Sequence, residues 1–397
     1  MRDSPARESM PELQPAAGAM LVGAALRHGV AGVLHDALAR SGALEELEPR
    51  ASQDLASLRA EYAAQYLRVT SELSTLALTL DRAGIPWAVM KGPAVAVLGY
   101  ATPNLRWSVD LDVLVHASQL GPAIDVITDA GATLLDVNWD LQLQLVRSEV
   151  SIALPYGTLL DLHWHPVNDK SARANTRLNV AAILSRRRPA TIAGAPRPVL
   201  DPADNMVLVA LHGALSGGHR LTWAKDLESL ARHDPPDWEL LVQRAKTARV
   251  NLPVGLMLRR AVRLLAAPVP PHVVVALLGG RPESGLLGWS ERLATPESLA
   301  TGTGTGRLVM SSLRSTWQES LKTMARAAEG RLTVTLQAKG ATLSHGRQRG
   351  GSAPVVSSAV GNPLRTPAGG SIARARYLAA IGERAQAGHP GHQSTGR

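Results

Sequence analysis

The chain has 397 residues, of which 45% are hydrophobic, and carries a formal net charge of +9. Its length favours two or three domains with a sizeable core, and the absence of cysteine excludes disulfide bonds and thiolate-bound zinc. Because the N-terminus lacks the pattern of a signal peptide and no apolar stretch reaches the roughly 20 residues of a membrane span, we expect a cytoplasmic protein.

The positive charge is concentrated at the C-terminal end. Residues 331–397 contain nine of the 42 Lys and Arg and one of the 33 Asp and Glu, a net charge of +8, so residues 1–330 carry about +1. A nucleic-acid groove would need basic residues in the folded part. We therefore expect contact with nucleic acid only through this tail, for which a solvated disordered segment is the simpler interpretation.

Periodicity and composition divide the chain into segments. The apolar positions from Leu55 to Leu73 recur every three or four residues and predict a long helix, which Gly84 and Pro86 end. The predicted segments are 1–15, disordered; 16–83, helical; 84–200, an α+β core; 201–280, a helical domain; 281–330, a linker with one possible helix; and 331–397, a basic disordered tail.

The α+β segment begins with a short buried strand. Trp87–Met90 is apolar throughout, and Lys91–Gly92–Pro93 reads as the turn into a helix because proline suits a first helical turn. Val109–Val115 predicts a second strand. Glu149–Leu154 and Leu159–His163 flank a Pro-Tyr-Gly turn and predict a hairpin. We therefore expect a small mixed sheet flanked by helices.

Two carboxylates lie side by side on the second of these strands. Because strand residues two apart face the same way, Asp110 and Asp112 share one face. Buried together they repel each other and lose hydration, and a bound cation relieves both costs. Oxygen ligands of this kind favour Mg²⁺ where phosphates are handled. Asp161 is predicted on a strand that neighbours this one and would add a third carboxylate.

The order of these motifs resembles a known superfamily. MKGPAVAVLGY, Leu105–Arg106, VDLDVLV and LLDLHWHP occur in succession, and LVALHGALSGGHRLTWAKDLESLARH follows. Together they resemble the uncharacterised bacterial branch of the nucleotidyltransferase superfamily, which includes DNA polymerase beta and antibiotic nucleotidyltransferases. The resemblance covers roughly residues 50–280 and implies a nucleotidyltransferase core with an active-site cleft against the helical half.

The resemblance also implies a reaction and its residues. It implies Mg²⁺-dependent transfer of a nucleoside monophosphate from ATP or another NTP to a hydroxyl or phosphate acceptor, which is a small molecule, a peptide, a protein or an RNA. Two ions would be held by Asp110, Asp112 and Asp161, and the phosphates by Lys91, Gly92 and Arg106. The sequence departs from well-studied members at Pro93, where a serine often contacts the phosphates.

Several alternatives stay open at this stage. His163 and His165 are either metal ligands or packed histidines, and His212, His219 and Arg220 either line the cleft or pack structurally. The sequence evidence that Asp226 lines the cleft is weaker. The alternative functions are a noncatalytic binding or scaffold protein, a toxin-like nucleotidyltransferase acting on tRNA or protein, and a metal-dependent phosphohydrolase.

Overall fold

The computed structural model describes residues 15–279 and 363–387. The predicted linker 281–330 and most of segment 1–15 lie outside the described residues. The strands are β1 (Trp87–Met90), β2 (Asp110–Val115), β3 (Thr133–Leu134), β4 (Glu149–Ala153), β5 (Leu159–His163), β6 (Arg188–Ile192) and β7 (Ala195–Val199).

Helices precede, interrupt and follow these strands. Before the sheet come α1 (Pro15–His28), α2 (Ala31–Ser41) and α3 (Pro49–Arg82). Between strands lie α4 (Gly92–Gly99), α5 (Leu120–Asp129), α6 (Trp139–Leu145), α7 (Lys170–Ala174) and α8 (Val180–Ser185). The helical half contains α9 (Pro202–Leu215), α10 (Leu221–His233), α11 (Trp238–Thr247), α12 (Asn251–Leu265) and α13 (Pro271–Leu278), and α14 (Gly370–Ala387) lies near the C-terminus.

The strands form one mixed sheet in the order β3-β4-β5-β2-β1-β7-β6. The pairs β2/β5 and β1/β7 are parallel, and the other neighbours are antiparallel. The predicted α+β class, with a small mixed sheet and flanking helices, is confirmed. The hairpin β6–β7 was not predicted, because its Arg and Pro residues hide the alternation that marks a strand.

The sheet separates two apolar clusters, because successive strand residues point to opposite faces. On one face Leu111, Val113 and Val115 pack with residues of α3, α5 and α14. On the other face Met90 and Leu114 pack with α4 and the helical half. The carboxylates of β2 share this second face, so the helical half lies on the side of the candidate site.

Helix α3 fixes the hairpin that carries Asp161. The buried carboxylate of Glu72 accepts hydrogen bonds from the backbone N–H groups of Tyr156 and Thr158, at 2.6 and 2.9 Å. These two residues lie in the turn between β4 and β5. A buried carboxylate with two backbone donors is satisfied, so it holds the turn in place and with it the register of β5.

The C-terminal region corrects the prediction of a tail disordered throughout. Helix α14 packs its Tyr377, which is fully buried, under the sheet, and the phenol oxygen lies 3.0 Å from Trp164 Nε1 and 2.8 Å from the Arg147 carbonyl. Apolar residues at positions 373, 377 and 381 give the helix one buried stripe. Composition averaged over 331–397 concealed this stripe, so the prediction is wrong for residues 363–387.

In the parts of the chain that the structure describes, none of the helices combines the length and the apolar character needed to cross a bilayer.

Candidate active site

The three predicted aspartates meet on one face of the sheet. Asp112 on β2 is the direct Cα partner of Asp161 on the parallel strand β5, and Asp110 lies two residues earlier on the same face. Paired residues of adjacent strands point the same way, and such strands are about 4.8 Å apart. The sequence prediction that Asp161 neighbours the Asp110/Asp112 strand is therefore confirmed, although sequence alone did not give this register.

Asp112 lies at the centre of the site, where it is 4% exposed. Its Oδ1 atom is 2.6 Å from Lys91 Nζ and accepts a hydrogen bond from His163 Nε2 at 2.9 Å. Burial opposes ionisation, but Lys91 and His163 outweigh it and hold the pKa of Asp112 well below its usual range. Asp112 is therefore a carboxylate at neutral pH.

The charges of the other two aspartates are less well compensated by nearby basic groups. Asp161 accepts a hydrogen bond from Ser151 Oγ at 2.8 Å. Burial, together with the charges of Glu149 and Asp112, raises the pKa of Asp161 to about 6. Burial and the charge of Asp112 also raise the pKa of Asp110. The site thus gathers more negative charge than its side chains neutralise, as expected of residues that hold a cation.

This donor set fits Mg²⁺, which prefers carboxylate oxygens. Within residues 15–279 and 363–387, no three His, Asp or Glu side chains already converge at metal-binding distances. The fit therefore rests on the chemistry of the donors and on their register: Asp110, Asp112 and Asp161 project from one face, and two of the three have raised pKa values.

The turn after β1 places Lys91 beside Asp112. Lys91 has φ 48° and ψ −142°, and Gly92 follows with φ 31°. Backbone of this kind favours glycine and costs of order 1–3 kcal/mol at another residue. A Cβ on Gly92 would lie 3.5 Å from the Asp110 carbonyl, so the turn packs closely against the start of β2. Burial lowers the pKa of Lys91, but Asp112 more than restores it, and the net shift is upward.

Arg106 lies beside this turn, and its guanidinium group is bound to other groups of the protein. Its Nε and Nη2 atoms bind the two carboxylate oxygens of Asp226 on α10, each at 2.8 Å. Its Nη1 donates to Ser108 Oγ at 2.9 Å and to the Gly92 carbonyl at 3.4 Å. Tyr100 donates to the same Asp226 at 2.7 Å. Arg106 thus holds the Lys-Gly turn from behind, and its predicted contact with phosphate stays a prediction.

A network behind Asp112 was not predicted in full. His163 Nδ1 lies 3.4 Å from Glu149 Oε2, and Glu149 is also 2.6 Å from Arg147 and 2.5 Å from Asn168. His163 therefore lies between Asp112 and Glu149, and it orients the carboxylate of Asp112. The sequence EVSIA carried a signal for Glu149, because its alternation places Glu149 and Ser151 on the face of Asp161.

His165 and the histidines of the helical half have different surroundings. His165 is buried, and its Nδ1 accepts the Val167 backbone N–H at 3.1 Å, which is a packed structural role. His212 on α9 lies near Lys91, with its ring edge-on to Trp223 at 6.2 Å. His219 contacts the same Trp223 ring at 5.2 Å. Arg220 is exposed at the start of α10.

Comparisons with known proteins show which family the chain belongs to. Among curated proteins, no match was found. Among solved structures the chain is similar to an antigenic nucleotidyltransferase-like protein from Paracoccidioides brasiliensis, with 19% identity over 55% of this chain and 95% of that chain and a TM-score of 0.32. The family described as "Uncharacterised nucleotidyltransferase" matches residues 19–266, which include all six predicted site residues. Because this match covers more than half of the 397 residues, the chain belongs to that nucleotidyltransferase family.

Proposed function

We propose that this protein is a Mg²⁺-dependent nucleotidyltransferase that moves a nucleoside monophosphate from an NTP to a hydroxyl or phosphate acceptor. Family membership supports the general nucleotidyltransferase role. One observation carries the finer proposal: the parallel pairing of β2 and β5 brings Asp161 beside Asp112, and Lys91 lies 2.6 Å from that same Asp112.

Asp110, Asp112 and Asp161 would hold the metal. Mg²⁺ bound there would stabilise the attacking and leaving oxygens of an in-line displacement at the α-phosphorus. The three carboxylates also bring a cost, because they repel the anionic triphosphate. Lys91 offsets that repulsion with an ammonium group held at the carboxylate edge by its contact with Asp112.

The turn after β1 suits the triphosphate. Gly92 lets the backbone approach closely, and the first N–H groups of α4 have no partner within the helix. Helix N-termini favour anions for this reason. Pro93 lies in the first turn and contributes no N–H. Binding of the triphosphate would therefore depend more on Lys91 than it does in nucleotidyltransferases in which serine follows the glycine.

Asp161 is the carboxylate best suited to take the proton of an acceptor hydroxyl. Without a bound cation, burial and the charges of Glu149 and Asp112 raise its pKa to about 6. A bound Mg²⁺ would lower that pKa, so Asp161 would be ionised and able to accept a proton. Ser151 donates to Oδ1 and fixes the side chain. The Oδ2 atom would then receive the proton as the acceptor oxygen attacks phosphorus and pyrophosphate leaves.

A noncatalytic binding protein is the second candidate, favoured by two observations. Pro93 removes a phosphate donor, and the guanidinium of Arg106 is bound to Asp226 through both Nε and Nη2. Under this alternative the chain would bind an NTP without transferring its nucleotidyl group.

The test uses the full chain with each α-³²P-labelled NTP, Mg²⁺ and a cell extract as the source of acceptor. We expect label transfer by the wild type, loss of transfer in Asp110→Asn and Asp112→Asn, and retention in Asp54→Asn, a variant of an exposed aspartate on α3. Chelation of Mg²⁺ should abolish transfer.

The products separate the alternatives. Label on tRNA or protein would identify a toxin-like acceptor, whereas release of labelled nucleotide without a labelled acceptor would identify a phosphohydrolase. NTP binding without any labelled product would favour the noncatalytic protein. Absence of both transfer and Mg²⁺-dependent NTP binding would overturn the proposal.

A further inference from the structure

A small cavity lies between the Lys91 turn and helix α9. Asn205 and His212 are seven residues apart on α9, so they lie on the same helical face, and that face is turned towards Lys91. The lining residues are Met90, Lys91, Pro166, Leu200, Asn205, Leu208, Val209 and His212. Because Lys91 also contacts Asp112, the cavity adjoins the candidate active site from the side of the helical half.

Asn205 is the unusual member of this lining. Its side chain is 2% exposed, and its Nδ2 atom has no hydrogen-bond partner among the described residues. A buried amide without a partner destabilises a fold, and most such groups are satisfied in native proteins. An apolar residue would serve better if packing were its only role, so an amide at this position points to a polar group that enters the cavity.

The size of the cavity limits what that group is. The cavity volume is about 10 Å³, which is about enough for one water-sized group. A phosphoryl group or a nucleobase does not fit inside. Lys91, Pro166 and His212 are the partly exposed residues of the lining, so a single oxygen that enters between them would leave the rest of its molecule outside the cavity.

The hydrogen-bonding groups of the lining suit a hydroxyl group. Burial and the charge of Lys91 lower the pKa of His212 to about 3, so its imidazole is neutral and offers one donor and one acceptor. The Asn205 amide also offers both. The lining contains no carboxylate, and an imidazole with its pKa lowered to about 3 is a weak base for a hydroxyl proton. An acceptor hydroxyl must lose its proton during transfer, and it therefore belongs beside Asp161 instead.

We propose that Asn205 and His212 form a subsite for a ribose hydroxyl of the NTP, and that this subsite makes the protein select ribonucleotides over a deoxy form. The inference rests on the proposed function, because it assumes that an NTP binds with its phosphates at Lys91. It adds a nucleotide-recognition role for α9, which the carboxylate motifs do not reveal.

The experiment measures dissociation constants for the full chain with Mg²⁺. The probes are ATP, 2′-deoxy-ATP and 3′-deoxy-ATP, or the corresponding set for whichever base binds best. We expect the wild type to bind the ribonucleotide about 3- to 10-fold more tightly than one deoxy form, as expected for one hydrogen bond. Asn205→Leu and His212→Gln should bind the two forms equally.

Two controls accompany these variants. His219→Gln also removes an imidazole from Trp223, but His219 does not line the cavity, so this variant should keep the discrimination. The thermal midpoint of Asn205→Leu should equal or exceed that of the wild type, because its amide has an unpartnered Nδ2. A stable Asn205→Leu protein that still discriminates would overturn the subsite.

The remaining outcomes are also decisive. A wild type that binds ATP and both deoxy forms equally would show that the cavity holds only a water molecule, and the subsite would be rejected while the proposed function stands. A wild type that binds no nucleotide of any base would overturn the proposed function itself.

Discussion

Lys91 combines an ammonium group beside Asp112 with a backbone conformation that lysine disfavours. Its φ of 48° and ψ of −142° lie in a region that glycine adopts at little cost. The ammonium group is 2.6 Å from Asp112, so the side chain is retained where glycine would relieve strain. Such strain persists at one residue where surrounding contacts impose it.

The strain at Lys91 gives a testable difference between two variants. Lys91→Gly and Lys91→Ala both remove the ammonium group, and we expect both to lose nucleotidyl transfer. Because alanine keeps the backbone strain, Lys91→Gly should be more stable by about 1 kcal/mol in denaturant unfolding. At exposed Ala64 in α3, Ala64→Gly should instead lower stability. Equal stability of Lys91→Ala and Lys91→Gly would show that the backbone at residue 91 is not strained.

His165 links stability to pH. Burial, reinforced by the charge of Arg173, lowers its pKa from 6.5 to about 3. Below pH 6.5 the unfolded chain binds a proton at this residue that the folded chain does not bind. The free energy of unfolding should therefore fall as pH decreases from about 6.5 towards 3, by up to about 1.4 kcal/mol per pH unit.

The variant His165→Asn isolates this contribution, because its side-chain oxygen can accept the Val167 N–H in place of Nδ1. We expect a shallower loss of stability between pH 6.5 and 4 than in the wild type, measured by urea unfolding at a series of pH values. His233→Asn, at an exposed histidine, should keep the wild-type slope. Equal slopes for His165→Asn and wild type would rule out this linkage.

At the scale of elements, helix α14 supports the strand that ends at His163. The Trp164 Nε1 atom donates both to Tyr377 on α14 and to the Arg147 carbonyl. Arg147 is in turn 2.6 Å from Glu149, which lies beside His163. A helix outside the family match at 19–266 therefore contacts the support of the candidate site.

Substitutions of Tyr377 should show a graded loss of stability. Tyr377→Ala removes a fully buried ring and should cost about 3–5 kcal/mol. Tyr377→Phe removes only the hydroxyl, and Trp164 keeps its bond to the Arg147 carbonyl, so about 1 kcal/mol is expected. Ile372→Ala, at a residue that is 69% exposed on the same helix, should be nearly neutral. Urea unfolding would measure all three, and a neutral Tyr377→Ala would mean that α14 does not pack here.

At the scale of the whole molecule, a buried ion pair joins the sheet to the helical half. Arg106 comes from the loop before β2, and Asp226 comes from α10 with 1% of its area exposed. Tyr100, at the end of α4, donates to the same carboxylate. This ion pair therefore joins α10 of the helical half to the loop before β2.

Removing one partner of this pair should be costly, because it leaves a buried charge uncompensated. We expect Asp226→Asn to lose about 3–5 kcal/mol of unfolding free energy. Asp36→Asn, which breaks the surface pair with Arg40, should lose less than about 1 kcal/mol. If Arg106 served phosphate instead, Asp226→Asn would free it, and tighter NTP binding with unchanged stability would be observed.

Much of the sheet was predictable because its signals are local. The alternation in VDLDVLV places Asp110 and Asp112 together whatever surrounds the strand, and the Pro-Tyr-Gly turn marks the hairpin that carries Asp161. The hairpin β6–β7 was missed because its alternation is masked by Arg and Pro. Helix α14 was missed because a short buried stripe lies within a composition typical of disorder.

The sequence by itself determined the candidate site residues: two cofacial carboxylates, a third on a later strand, and a Lys-Gly turn. Only the tertiary structure decided which acidic group each basic side chain contacts. Lys91 faces Asp112, whereas Arg106 is bound to Asp226, 120 residues away in sequence. Strand alternation depends on the backbone of adjacent residues, but the partner of a buried charge depends on which distant element packs against it. The same long-range packing brings Asn205 to Lys91, which no local pattern could indicate.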